Sequence, residues 1–261
     1  MRDDGAVSLL CLDVRNSQTV VGVFDGPELV ASWRVASVDT RTADEWHLMI
    51  RGLLAEQGIL AIDAVALSCT VPAILHEMRI LLERRYSDCA VSIVEPGTRT
   101  GVSILMDNPR EVGADRIVNA AAAGALYEGP CIVVDLGTAT TFDVVDERGR
   151  YVGGAISAGI GISLEALARR GAQLRSVELT RPRGVVAKNT VEAIQSGMVF
   201  GFAGLVDGIV SRMVRALDRD DVTVIATGAH ADVVLGECST ITRHEPDLTL
   251  IGLRIVAERN A

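Results

Sequence analysis

A chain of 261 residues, 49% of them apolar, can bury a large core as one big domain or two of moderate size. Its apolar residues come in short runs, none near the ~20 consecutive residues of a membrane span, so no membrane segment is expected. A formal net charge of −9 argues against nucleic acid or an anionic membrane surface as the main partner.

The start, Met1-Arg2-Asp3-Asp4-Gly5, carries acids and runs straight into a strand-like segment, so no signal peptide is expected and the protein reads as cytoplasmic. A first strand-turn-strand unit follows: Ser8 to Asp13, the turn Val14-Arg15-Asn16-Ser17, and Gln18 to Phe24. The turn Asp25-Gly26-Pro27 introduces a third strand, Glu28 to Val35. A helical pattern at Thr42 to Gln57, a strand at Ala64 to Ser68 and a helix at Ala73 to Arg85 come next. Beyond a Thr/Arg-rich loop at Thr98 to Thr100, a helix at Gly113 to Tyr127 ends in Glu128-Gly129-Pro130. A second unit then repeats the first: the strand Cys131 to Asp135, the turn Leu136-Gly137-Thr138-Ala139, and the strand Thr140 to Val145. Glu147-Arg148-Gly149 leads into a strand at Tyr151 to Ile156, helices at Ile160 to Arg170 and Thr190 to Leu217, and a strand at Val222 to Thr227. A second Thr/Arg-rich loop spans Thr180 to Gly184.

Three strands, helix, strand, helix occurs twice, which implies two related α/β domains, 1–118 and 119–261. Cys11, Cys69, Cys89, Cys131 and Cys238 are odd in number and scattered, and three of them sit in or beside apolar strands. They read as reduced thiols in a reducing compartment. His47, His76, His230 and His244 are isolated from one another, which argues against a zinc site.

An aspartate ending a strand before a tight turn is ordinarily a turn initiator, and Asp13 alone would be read so. Its repetition at Asp135 changes that reading. Two such hairpins facing each other across a cleft can aim backbone amides at a polyphosphate while their carboxylates hold a cation. Gly137 permits close approach of the backbone, and Thr138, Thr140 and Thr141 offer hydroxyls.

The paired hairpins resemble those of the actin, Hsp70 and sugar-kinase superfamily. Within it, the chain is similar to the type III pantothenate kinases along nearly its whole length. The resemblance is carried by Glu95-Pro96-Gly97-Thr98-Arg99-Thr100-Gly101 and, most specifically, by Asp107-Asn108-Pro109-Arg110-Glu111-Val112-Gly113-Ala114-Asp115-Arg116. Further matches are Asp135 to Thr141, Gly153-Gly154-Ala155-Ile156, Lys188-Asn189-Thr190, and Asp247 to Leu250 with Gly252-Leu253-Arg254.

That resemblance implies two duplicated actin-like (ribonuclease H-like) domains with a nucleotide cleft between them. It also implies ATP-dependent phosphorylation of pantothenate, with Mg²⁺ and a monovalent cation, K⁺ or NH₄⁺, in a homodimer. Asp13, Val14, Arg15, Asn16, Ser17, Gln18, Thr19 and Val20 would form the first phosphate loop, with Thr138 touching ATP. Asp115 would be the general base, and Gly113, Ala114, Asp115 and Arg116 would line the pantothenate pocket. Thr190 would reach that pocket from the partner subunit, and Asp135 would hold the monovalent cation. Gly153-Gly154 and Thr227-Gly228 would border the nucleoside. For the dimer, the small-residue-rich stretch Met198 to Gly204 offers a close-packing face, or equally a core helix.

The chain departs from the family pattern at Arg15 and Met106, where glycine and tyrosine are usual, and at Ser17, Ala158 and Ala229. A guanidinium at position 15 would either reach a phosphate or block the loop. The altered hairpin favours an alternative, a catalytically weak or inactive relative with an accessory role. Retained Asp115, Arg116, Asp135 and Thr190 oppose it. Another small-molecule kinase of the superfamily would share the hairpins but not the stretch Gly113 to Arg116.

Overall fold

The computed structural model describes residues 8–170 and 177–261. The acidic start Met1 to Gly5 lies outside them. The chain divides into two compact units. The first comprises residues 1–103, 107–122 and 248–261; the second comprises 104–106 and 123–247.

In the first unit β1 (Ser8–Val14), β2 (Gln18–Asp25) and β3 (Glu28–Ala36) form an antiparallel meander. Helix α1 (Ala43–Glu56) starts at a capping box in which the Thr42 hydroxyl accepts from Glu45 N and the Glu45 carboxylate accepts from Thr42 N. After it, β4 (Ala64–Cys69) returns parallel to β1. Helix α2 (Pro72–Arg85) opens with proline in its first turn, where the missing N–H costs nothing. Strand β5 (Ala90–Ile93) completes a sheet of order β3-β2-β1-β4-β5.

Alternation along β1 sorts its side chains by face. Leu10, Leu12 and Val14 join Trp46, Ile50, Ile74 and Met78 of α1 and α2 in one apolar cluster. Leu9 and Cys11 join a second cluster with Val118 and Ala121 of α3 (Ala114–Leu126) and with Leu250, Leu253 and Val256 of the last helix. Asp13 follows Leu9 and Cys11 on that second face.

The second unit repeats the plan with β6 (Cys131–Leu136), β7 (Ala139–Val145), β8 (Tyr151–Ala158), β9 (Thr223–Thr227) and the two-residue β10 (Arg243–His244). Its sheet order, β10-β9-β6-β7-β8, matches the first strand for strand. Helices α4 (Ile160–Arg170) and α5 (Thr190–Leu217) both precede β9, and the short α6 (Ala231–Leu235) follows it. Ile132, Val134, Leu136, Phe142 and Val144 cluster with Val206 and Val210 of α5.

A division into 1–118 and 119–261 follows the sequence duplication, whereas the packing assigns 119–122 and 248–261 to the first unit and 104–106 to the second. Helix α7 (Leu248–Asn260) lies against β1, β2, β4 and β5 of the first unit. The reason is steric as well as hydrophobic. Gly252 is so close to α3 that a Cβ there would stand 2.2 Å from the Val118 carbonyl oxygen, and Gly22 lets Leu250 onto β2.

Among the described residues α5 is the one helix long and apolar enough to cross a membrane, and 44% of its most apolar window is buried in the fold.

Candidate active site

The first hairpin closes with Arg15 N donating to Gln18 O at 3.2 Å. Asp13 and Thr19 are buried, and Val14 is buried in the adjacent cluster. Asn16, Ser17 and Gln18 are exposed at the tip, and Val20 is half-buried. Thr19 Oγ1 and Ser37 Oγ share a hydrogen bond of 2.8 Å, fixing the start of β2.

Arg15 is held by two neighbours in its own unit. Its Nε donates to Asp13 Oδ2 at 2.6 Å and its Nη2 donates to Thr249 Oγ1 at 2.7 Å, so the guanidinium lies folded onto the hairpin. Ser68, opposite Asp13 in β4 and on the same face, is fully buried. Its Oγ has no hydrogen-bond partner among the described residues. An orphaned hydroxyl beside a buried carboxylate suits a site that receives a cation or phosphate oxygen.

The Gly113 to Arg116 stretch forms the start of α3 in the same unit, after a 3₁₀ turn at Pro109–Glu111 capped by Asn108. Gly113, Ala114, Asp115 and Arg116 are all half-buried. Asp115 Oδ1 lies 2.6 Å from where a Gly113 Cβ would stand, so its carboxylate folds back over the glycine. An acid in the first turn is electrostatically favourable, because the helix N-terminus carries partial positive charge.

In the second unit, Asp135 is 4% exposed at the end of β6. Thr141 of β7 and Thr227 of β9 stand opposite it, so both threonines share its face. Gly228, with φ +98°, seats its Cα against that carboxylate, and a Cβ there would approach Asp135 Oδ1 to 2.5 Å. The cradle is lined with oxygen donors, as a hard cation requires. Thr138 is half-buried in the turn, where its carbonyl accepts from Gly159 N at 3.1 Å. Thr140 shares the opposite face with Leu136 and Phe142, away from Asp135. Thr190 opens α5, exposed beside the cap residue Asn189, whose side chain accepts from Glu192 N at 2.9 Å.

Residues 104–106 run along the edge of this second sheet. Ile104 bridges to Tyr151, and Met106 Sδ lies 3.8 Å from the Cβ position of Gly153.

Sequence reasoning passed over Asp143, a fully buried acid in β7 that accepts from Tyr151 Oη at 2.8 Å and Thr141 Oγ1 at 3.0 Å. It also passed over Ser68, Asn119 and Thr249. The available signal was a polar residue at an inward position of an apolar strand or helix.

The family model for type III pantothenate kinase matches residues 9–212 of the chain. The chain belongs to the type III pantothenate kinase family. The type III pantothenate kinase of Thermobifida fusca (strain YX) is 58% identical over 256 residues, 97% of this chain and 99% of the relative. Solved structures under 25% identity agree on the fold. An archaeal actin homolog superposes with a TM-score of 0.55 at 14% identity, covering 97% of this chain and all of the other. A ROK family glucokinase from Streptomyces griseus, solved with glucose and AMPPNP, gives 0.54 at 13%, covering 97% and 99%.

As a type III pantothenate kinase, the protein transfers a phosphoryl group from ATP to pantothenate, the first step of coenzyme A biosynthesis, and works with ATP and a divalent metal ion. The two duplicated actin-like domains read from the sequence are those of this family. The alternative of an inactive relative finds no support in these matches.

Proposed function

We propose that Asp115 is the general base of this kinase. The observation that carries the reading is the carboxylate at the second position of α3, folded over the space that a side chain at Gly113 would take. The 4′-hydroxyl oxygen of pantothenate attacks the γ-phosphorus, forming the O–P bond as the bond from that phosphorus to the β-bridging oxygen breaks. The hydroxyl proton passes to Asp115, and ADP leaves. Catalysis here is chiefly positioning and charge stabilisation. The divalent ion, Mg²⁺ in this reading, supplies charge neutralisation on the phosphate oxygens when bound.

Residues Asp13 to Val20 and Thr138 hold the nucleotide, and Asp13 and Ser68 supply oxygens for its metal. Arg116 takes the pantothenate carboxylate in a bidentate contact that a lysine could not reproduce. Asp135, with Thr227 and Thr141 beside it, holds K⁺ or NH₄⁺. Rates in K⁺ and NH₄⁺ should exceed the rate in Na⁺ at matched ionic strength; equal rates would remove that role from Asp135.

The enzyme is a homodimer in which Thr190 serves the partner's pantothenate pocket. Supporting this, Thr190 is exposed on its own chain, and Val185, Val186 and Val191 beside it are 64%, 85% and 51% exposed. The five free thiols and the acidic charge support a cytoplasmic enzyme without nucleic-acid or membrane partners.

Asp115→Asn tests the central assignment. Asparagine is nearly isosteric, so fold and ATP binding survive, while kcat falls by about 10²–10⁴-fold, the usual contribution of a general base, with little change in KM for ATP. Retention of more than about a tenth of wild-type kcat, well outside that range, would show that Asp115 is not the base.

A further inference from the structure

Arg15 occupies the place that Gly137 takes in the second hairpin, two residues beyond the strand-terminal aspartate. Its fork joins two groups: Nε donates to Asp13 Oδ2 at 2.6 Å and Nη2 to Thr249 Oγ1 at 2.7 Å. Thr249 Oγ1 in turn donates to Asn119 Oδ1 at 2.7 Å. The polarity of this relay is fixed. A guanidinium only donates, so the threonine hydroxyl accepts from it and gives its one proton to the asparagine. The relay is also largely dry, with Asp13, Asn119 and Thr249 at 1%, 1% and 6% exposure. Hydrogen bonds to charged groups in such surroundings are shorter and stronger than their solvated counterparts.

Three elements are tied together: the β1–β2 hairpin, helix α7 and helix α3. Asn119 lies four residues beyond Asp115 on α3, one turn on and on the same face.

We propose that Arg15 and Thr249 are positioning residues that couple nucleotide at the first hairpin to the setting of α3, and hence to pantothenate at Asp115. The inference rests on the assignments of Asp13 to Val20 and of Asp115 made above. A polyphosphate and its cation at the hairpin draw on the same Asp13 carboxylate and Arg15 guanidinium that anchor the relay. Any shift of the guanidinium changes what the Thr249 hydroxyl accepts, and through it the bond to Asn119. Coupling of this kind is reciprocal, so pantothenate strengthens nucleotide binding by the factor that nucleotide strengthens pantothenate binding.

The test is titration calorimetry with AMPPNP and Mg²⁺, with and without pantothenate, on the wild type, Thr249→Val, Thr249→Ser and Arg15→Lys. The wild type should show at least about fivefold mutual enhancement, the low end of ordinary coupling. Thr249→Val, which keeps shape and loses the hydroxyl, should bring the factor near one, and Thr249→Ser should retain it. A purely structural role for Thr249 would lower thermal stability without abolishing the factor.

Wild-type coupling preserved in Thr249→Val, or no coupling in the wild type, overturns the proposal. Should Thr249→Val fail to fold, Arg15→Lys decides: lysine keeps the charge but cannot span Asp13 and Thr249, so unchanged coupling there overturns it equally. Product formation by the wild type, read by mass spectrometry, separates the two levels. Absence of 4′-phosphopantothenate sinks the site assignment, whereas product with uncoupled ligands sinks this inference alone.

Discussion

Gly113 is where a single methyl group has the clearest consequence. Its Cβ would meet the Asp115 carboxylate at 2.6 Å, and a carboxylate at the end of a side chain can move aside. Gly113→Ala should therefore fold with a melting temperature close to wild type while its base is displaced. We expect kcat to fall towards the roughly 10²–10⁴-fold loss of removing the base altogether. An alanine variant with wild-type kcat would mean that the folded-back carboxylate is not the productive one. Residues of this kind are only partly legible in sequence. Asp13 and Asp135 stand out because the same hairpin occurs twice, whereas Asn119 and Thr249 offer only a polar residue in an apolar helix and acquire a role when α3 and α7 meet. Arg15 shows the opposite limit. Its identity was plain, but a guanidinium's partners are a matter of tertiary geometry, and one of them, Thr249, is 234 residues away.

The elements that sequence revealed best are those with a strong period or cap. Helix α1 has Thr42 and Glu45 to mark its start, and α4 and α5 run over the residues expected. In the second half, β9 begins one residue later than expected. Strand β10 has two residues and β5 has four, too short for alternation to register. Helix α7 gives little amphipathic signal because Leu248, Thr249, Leu250, Gly252, Leu253, Ile255 and Val256 are all buried. Its contact with α3 is tight enough to predict that Gly252→Ala costs about 1–3 kcal/mol, as overpacking does, since the obstacle is the Val118 backbone. Denaturant unfolding that shows no loss would place the two helices further apart.

A second prediction at this scale concerns Asp207 of α5, which accepts from the amides and hydroxyls of both Ser239 and Thr240. Partial burial works to raise its pKa, but those four donors outweigh it and hold the carboxyl below its ordinary value of 3.8. A depressed folded pKa contributes stability above the unfolded value and loses it as pH falls through the folded one. The clamp should thus hold at neutral pH and release below about pH 4, the ordinary aspartate range. Asp207→Asn should be less stable than wild type at pH 7 and converge on it in acid. A constant difference across that range would assign the loss to packing.

For the whole molecule, the prediction concerns assembly. Along α5, Val199, Phe202 and Ala203 face inward, while a Cβ at Gly197, Gly201 or Gly204 would meet nothing within 4 Å. That open line of glycines gives the proposed dimer a face on which a second helix can lie close. Gly201→Leu should leave the monomer folded, because the added side chain enters open space and glycine is a poor helix former. It should also lower the dimer mass in sedimentation and take activity with it. A fully dimeric, fully active variant would move the interface off this face.

The placement of α7 also has a consequence for the order in which the protein is made. Cys11, Leu9 and Phe24 reach the ribosome exit early, yet the helix that seals that side of their sheet, Leu248–Asn260, is translated long after them. At ordinary elongation speeds the first sheet waits on the order of ten seconds with an apolar face open to water. Emergence of α7, rather than completion of the N-terminal strands, is then the event that lets the first unit close that face.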